Sequence, residues 1–206
     1  MVDKYWHVKR SGLFGALGEE ALRSIESCSR TRDFPARSPI LLPEDGNEHL
    51  FLVVKGLVKI GRLSREGKAA TLSLVEAGEV FGELAVWGDV DPEQHVEAIE
   101  ATTLLMIPVA AVGQVMERHP EFIAVLTRML GLRQRRIERR LANLLFRSHR
   151  DRLIHLLLDL AEQFGERVGE GCRIRVRLTH EDLGNLIGST RESVTVVLGH
   201  LRNEGI

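Results

Sequence analysis

The stretch Leu178–Leu201 (LTHEDLGNLIGSTRESVTVVLGHL) constrains this chain more than any other. It reads as two short helices joined by a tight turn at Gly188. Thr179 can cap the first helix, with Asp182 three positions on to complete a capping box. Leu183, Leu186 and Ile187 then share one face. Thr190 caps the second helix, and Glu192 lies in its first turn, where negative charge suits the helix dipole. Val194, Val197, Leu198 and Leu201 form a buried stripe. Arg191, Glu192, Thr195, Val196 and Arg202 are left on or near the opposite face.

A helix that enters the major groove presents its N-terminal residues to base edges. Arg191 can donate two hydrogen bonds to guanine, and Glu192 can accept from cytosine. Ser189, Thr190 and Ser193 can anchor phosphates. The competing reading is a helical hairpin with an ordinary surface salt pair.

Upstream the texture changes twice. Ala21, Leu22 and Ile25, with Leu17 ahead of them, predict a short amphipathic helix. From Phe34 to Pro108, short apolar runs begin at Ile40, Leu50, Leu57, Ala70, Val96 and Thr103. Glycines at 46, 56, 67 and 78 punctuate them. This spacing predicts an antiparallel sandwich or roll, with glycine supplying positive φ at the corners. After Pro108 a helical stretch runs from about Val109 to Phe146, with a candidate break near Pro120. Within it Ile123, Leu126, Leu130, Arg133, Ile137, Arg140 and Leu144 fall at alternating three- and four-residue steps, a heptad seam. Leu141 and Leu145 widen the stripe. A parallel homodimer is the favoured reading, and a helix packed on its own domain is the alternative. Arg152–Phe164 predicts an apolar helix, and Arg173–Leu178 alternates like a half-buried strand.

Charge divides along the chain. Residues 1–132 carry 14 Lys and Arg against 19 Asp and Glu, and residues 133–206 carry 14 against 10. An acidic front and a basic rear fit a sensor half and a nucleic-acid half. Cys28 and Cys172, the two cysteines, lack the spacing of a disulfide framework or a cluster-binding set and read as two buried free thiols. No run of about 18 apolar residues and no signal-peptide core is present, so a cytoplasmic protein without a membrane segment is expected. No Ser-His-Asp, HExxH or P-loop pattern supports an enzyme.

Two motifs carry a family resemblance: Gly78–Ala85 (GEVFGELA) and Gly188–Val194 (GSTRESV). With the order of elements, they make the chain resemble the cyclic-AMP receptor protein/FNR (CRP/FNR) family of bacterial transcription regulators over nearly its whole length. The resemblance implies an α+β fold with an N-terminal antiparallel β-roll over 1–108, a dimerisation helix and hinge over 109–147, and a C-terminal winged helix-turn-helix over 148–206. The roll is of the cyclic-nucleotide-binding jelly-roll type. The wing is missing, because the sequence ends at Ile206, where the family continues into it. Either a truncated form or part of a longer chain is at hand, and fewer phosphate contacts should weaken DNA binding. Implied partners are double-stranded DNA, a second copy of the chain and RNA polymerase.

In the family, the Arg and Glu of the recognition helix read the half-site; here these are Arg191 and Glu192. A second arginine usually lies four residues beyond that Glu. Here it is Val196, so an altered half-site is expected, with Val196 suited to a thymine methyl. The expected effector pocket comprises Phe81, Gly82, Glu83, Leu84, Ala85, Gln94 and His95. Glu83 matches the family's ribose-contacting Glu, Gly82 turns the chain and Leu84 is expected to pack inward. Cyclic-nucleotide-binding members also carry an Arg-Ser/Thr-Ala clamp about ten residues on. Trp87–Val96 (WGDVDPEQHV) has no Arg or Lys there, but Asp89, Asp91 and Glu93, which repel a cyclic phosphate. Cyclic AMP is therefore disfavoured. A haem ligated by His95, with His7 and His49 as other candidates, stays open. So does a divalent cation on Asp91, Glu93, His95 and Glu97, although Pro92 interrupts that strand. An unidentified small molecule or no effector at all is the leading expectation. Effector or intrinsic state would shift the population between two helix arrangements around Arg133–Asn143.

Overall fold

The computed structural model describes residues 4–43, 45–64, 66, 69–89, 91, 93–169 and 171–205. It divides into two compact units, Met1–Leu63 with Ser73–Arg133, and Ser64–Leu72 with Gln134–Ile206.

The first unit opens with helices α1 (Lys4–Arg10) and α2 (Glu19–Cys28). Its strands are β1 (Arg30–Phe34), β2 (Pro39–Leu41), β3 (His49–Lys55), β4 (Leu57–Leu63), β5 (Ala69–Glu76, which begins in the other unit), β6 (Val80–Phe81), β7 (Gln94–Ala98) and β8 (Thr102–Pro108). They form two four-stranded sheets, in the orders β1-β8-β3-β6 and β2-β7-β4-β5. A short 3-10 helix, Glu83–Trp87, separates β6 from β7. Helix α3 (Val109–Arg118) follows β8, and α4 (Pro120–Phe146) begins after His119. The break foreseen near Pro120 is therefore real: Pro120 opens a helix, where its missing N–H costs nothing.

The apolar runs of β3 and β8 are nearly continuous because these strands are buried on both faces. Leu50, Leu52, Leu105 and Ile107 pack with Val8, Leu22, Ile25, Val112 and Phe122 of the helices. Their alternates Phe51, Val53 and Leu104 face Val58, Ile60, Val75, Val96 and Ala98 inside the sandwich. Phe51 stacks on Phe81 with ring centroids 4.8 Å apart. Gly56 has φ +97°, and a Cβ there would stand 2.7 Å from Thr102 Cα, so only glycine fits this hairpin corner. Gly78 also has positive φ, whereas Gly46 does not. Gly67 and Pro92, both invoked above, lie outside the described residues.

The second unit contains the C-terminal part of α4, α5 (His149–Phe164), the hairpin β9 (Gly165–Val168) and β10 (Gly171–Ile174), α6 (His180–Ile187) and α7 (Arg191–Asn203). Ser148 caps α5 by accepting from Asp151 N. Arg152 donates to the carbonyl oxygens of Arg147 and Leu144, closing the C-terminal end of α4. The strand expected over Arg173–Leu178 is shorter and shifted. It covers Gly171–Ile174, pairs with Gly165–Val168 and is mostly exposed rather than half-buried. Past Ile174 one further backbone bond follows, Arg175 N donating to the Phe164 carbonyl at 3.0 Å. Cys172, expected to be buried, is exposed on this hairpin, and Cys28 is half-buried.

Candidate DNA-reading surface and effector pocket

The two-helix unit forms as its side chains require. Thr179 Oγ1 accepts from Asp182 N at 3.1 Å while Asp182 Oδ2 accepts from Thr179 N at 2.9 Å, a reciprocal capping box. Leu183, Leu186 and Ile187 are buried. Gly188 ends α6 with φ 61° and ψ 44°, the left-handed geometry that favours glycine. Gly184, which the sequence reading passed over, is equally constrained. Ser189 N donates to Gly184 O at 2.9 Å. A Cβ on Gly184 would lie 2.7 Å from the Ser189 carbonyl oxygen. The turn between the helices is therefore held by a backbone-to-backbone approach that no side chain admits.

Thr190 caps α7, its hydroxyl accepting from Ser193 N at 3.2 Å and donating to Ser193 Oγ at 3.1 Å. Val194 and Leu201 anchor the helix inward, with Val197 and Leu198 half-buried. Arg191, Glu192, Thr195 and Val196 are exposed together on one face, Val196 to 57%. Ser189 and Ser193 are half-buried, so they are less free for phosphates than the sequence implies. Thr195 is also engaged: its hydroxyl donates to Arg191 O at 2.9 Å and meets His180 Nδ1 at 2.7 Å.

The pocket near the 3-10 helix is lined by Asn47, Gly82, Glu83, Leu84, Ala85, Asp89, Asp91 and Gln94. Five of the seven expected residues, Gly82, Glu83, Leu84, Ala85 and Gln94, thus come together. Phe81 and His95 do not line it. Phe81 is fully buried in the sandwich core, stacked on Phe51. His95 projects from β7 toward Glu97, with Nε2 3.5 Å from Glu97 Oε2, and Glu97 Oε1 lies 3.1 Å from Lys59. Leu84, expected inside, is 42% exposed, because the 3-10 turn points it outward. Gly82 turns the chain with φ +79°, and a Cβ there would clash with His49 O at 2.8 Å.

The acidic loop is not left unbalanced. Arg62, on β4, reaches Asp91 at 2.6 Å and Glu93 at 3.5 Å. Sequence spacing did not reveal this, since the ion pair spans 29 residues. Glu83 is held from α4, with Arg133 Nη1 3.5 Å away. Arg133 also donates to Val80 O. Among the described residues no group of three His, Cys, Asp or Glu could hold a metal ion. Asp91, Glu93 and Glu97 pair instead with Arg62 and Lys59.

The expected seam on α4 divides. Leu126 is 2% exposed in the core of the first unit, beside fully buried Phe122. Arg133 is tied to Val80 and Glu83. In the second unit, Arg140 Nη1 donates to Leu72 O at 3.2 Å. Burial pulls its guanidinium below the usual arginine range, opposed by Asp159. Leu144 lies against Gly188. Positions 126, 133 and 140 share a face because they are seven residues apart, and that face is turned to the chain itself. Ile123, Thr127, Gln134 and Leu141 are exposed, while Leu130 and Ile137 are half-buried. These six also alternate at four and three residues.

Gly184→Ala is expected to destabilise the second unit by about 1–3 kcal/mol through overpacking at the turn. Chemical denaturation measures this, and unchanged stability would contradict the backbone contact.

The comparisons agree with this geometry. Residues 31–119 match the model of the cyclic nucleotide-binding domain, and residues 151–206 match the Crp-like helix-turn-helix domain. A global nitrogen regulator of Synechocystis is 31% identical over 93% of this chain and 84% of its own length. A cyclic AMP receptor protein of Thermus thermophilus is 31% identical over 97% of this chain and 89% of its own. The solved structure of a CRP/FNR-family transcriptional regulator from Thermus thermophilus covers 85% of this chain and 87% of its own, with TM-score 0.69 and 30% identity. Motif, fold and relatives converge, and the chain belongs to the CRP/FNR family of DNA-binding transcription regulators.

Proposed function

We propose that the chain acts as a homodimeric regulator in the cytoplasm. It binds a palindromic DNA site through α7 and is controlled by an effector other than cyclic AMP or by none. The division proposed from sequence, a sensor over 1–108, a dimer helix and hinge over 109–147 and a DNA-binding part over 148–206, carries this reading. RNA polymerase is the expected partner at the promoter. The observation that carries DNA reading is the exposed face of α7, where Arg191 and Glu192 stand in the first turn beside Val196. Arg191 supplies a bidentate contact to guanine, and Val196 a methyl contact in place of a second arginine. On a palindromic duplex, Arg191→Ala is expected to weaken specific binding by about 1–3 kcal/mol per half-site. Equal affinity of variant and parent in a gel-shift titration would sink the DNA-reading assignment.

A second copy docks along Ile123, Thr127, Leu130, Gln134, Ile137 and Leu141 of α4. Leu126, Arg133 and Arg140, which the sequence placed on the seam, are engaged within the chain. Thr127 and Gln134 are polar at alternate positions, a pattern that fixes register at some cost in stability. Leu141→Glu is expected to shift the protein from dimer to monomer in analytical ultracentrifugation. A dimer that survives at micromolar concentration rules this seam out.

The effector reading rests on charge. Asp89, Asp91 and Glu83 surround the pocket. Arg62, the cation at the loop, pairs with Asp91 and Glu93, and Glu83 already faces Arg133. An incoming phosphate has to displace these pairs. The Thermus relative is named a cyclic AMP receptor and the Synechocystis relative a nitrogen regulator, so relatedness does not choose between them. Calorimetric titration with cyclic AMP is expected to show no micromolar binding, and micromolar binding would overturn the charge argument. Haem on His95 is the weaker reading, since that ring faces Glu97 and is absent from the pocket lining.

A further inference from the structure

His180 is the first residue of α6, and its ring touches the DNA-reading helix. Its Nδ1 lies 2.7 Å from Thr195 Oγ1. Thr195 has one hydroxyl hydrogen, and that hydrogen goes to Arg191 O at 2.9 Å. Both contacts are hydrogen bonds at once only when the Thr195 oxygen accepts from the ring, which assigns the proton to His180 Nδ1. Both residues are exposed, and Thr195 lies on the same face as Arg191. The ring thus extends that face onto the first helix of the motif. In a helix-turn-helix the first helix crosses the DNA backbone.

With Nδ1–H committed to Thr195, a neutral ring presents a lone pair at Nε2, which repels a phosphate oxygen. Only the imidazolium offers N–H groups at both positions. From this we infer that His180 is a DNA-backbone anchor whose contact takes up one proton from solvent per protomer at Nε2, so that DNA affinity is linked to pH. The inference rests on reading α7 as the DNA-reading helix. Neighbouring charged groups are Glu181 and Asp182 on α6, and Arg191 and Glu192 in the first turn of α7. On α5, the other helix packed on α6, Asp159 pairs with Arg139 at 2.9 Å and Arg152 binds the Leu144 and Arg147 carbonyls.

The test measures affinity for one palindromic duplex from pH 6 to 8 at several salt concentrations, for the parent, His180→Gln, His180→Arg and Arg191→Ala. The parent is expected to weaken with rising pH, by up to about tenfold per pH unit for each histidine that takes up a proton. His180→Gln should lose this component, with a salt slope shallower by about one per protomer at pH 6. His180→Arg should bind at pH 8 about as tightly as the parent does at pH 6. A parent with pH-independent affinity, or a His180→Gln protein that keeps the parent's pH dependence, overturns the inference. If His180→Gln is too unstable to measure, a His180→Arg protein with the parent's pH dependence overturns it equally. Arg191→Ala separates the failures. If it binds like the parent, the reading of α7 has failed; if it alone weakens binding, only the His180 inference has.

Discussion

One face of α4 is spent on its own chain, and much else follows from that. Phe122 and Leu126 are sealed into the core that also holds Phe14, Leu50 and Ile107. Burying two such side chains contributes on the order of 3–6 kcal/mol, so the helix is not free to rotate and offer them to a partner. The same face carries Arg133 to Val80 and Glu83. The residue that resembles the family's ribose-contacting glutamate is thereby coupled to the helix proposed to join protomers. In the second unit, Arg139 pairs with Asp159, and Arg152 closes the carbonyls at the end of α4. The stripe proposed for a second copy is the neighbouring one, about a quarter-turn around α4, in which leucine and isoleucine alternate with threonine and glutamine.

The DNA-reading surface shows the complementary economy. Its shape is set by backbone contacts, and its chemistry by a few exposed side chains. Gly184 and Gly188 fix the turn, and the caps at Thr179 and Thr190 satisfy helix-end donors that otherwise need water. Once the helices are locked, Arg191, Glu192 and Val196 are presented without further adjustment.

Much of this was legible in the sequence, because local rules dominate there. The capping box, the left-handed Gly188 and the apolar stripes of α6 and α7 are read from spacing alone. The long strands β3, β4 and β8 announce themselves by apolar runs. Other features depend on partners distant in sequence. β1 is exposed at its first four residues and gains strand form only by pairing with β8. β6 is two residues long and exists through β3. The β9–β10 hairpin has little apolar content, and its signal was the glycine pair at 169 and 171. Heptad spacing alone does not separate a core face from a partner seam: Leu126, Arg133 and Arg140 fall at seven-residue steps and face the chain itself. Arg62 was missed at the acidic loop because ion pairs across a sheet leave no local pattern. Gly184 was overlooked because a glycine inside a helix gives no sign of what approaches it.

In the proposed function, α7 reads DNA as one half of a symmetric pair. Selection of binding sites from a pool of random duplexes tests it most directly. Enrichment of an inverted repeat with half-site centres about one helical turn, roughly 34 Å, apart, containing a guanine contact for Arg191 and a thymine opposite Val196, is the expected result. A pool that stays random, or that yields a single unrepeated half-site, contradicts it.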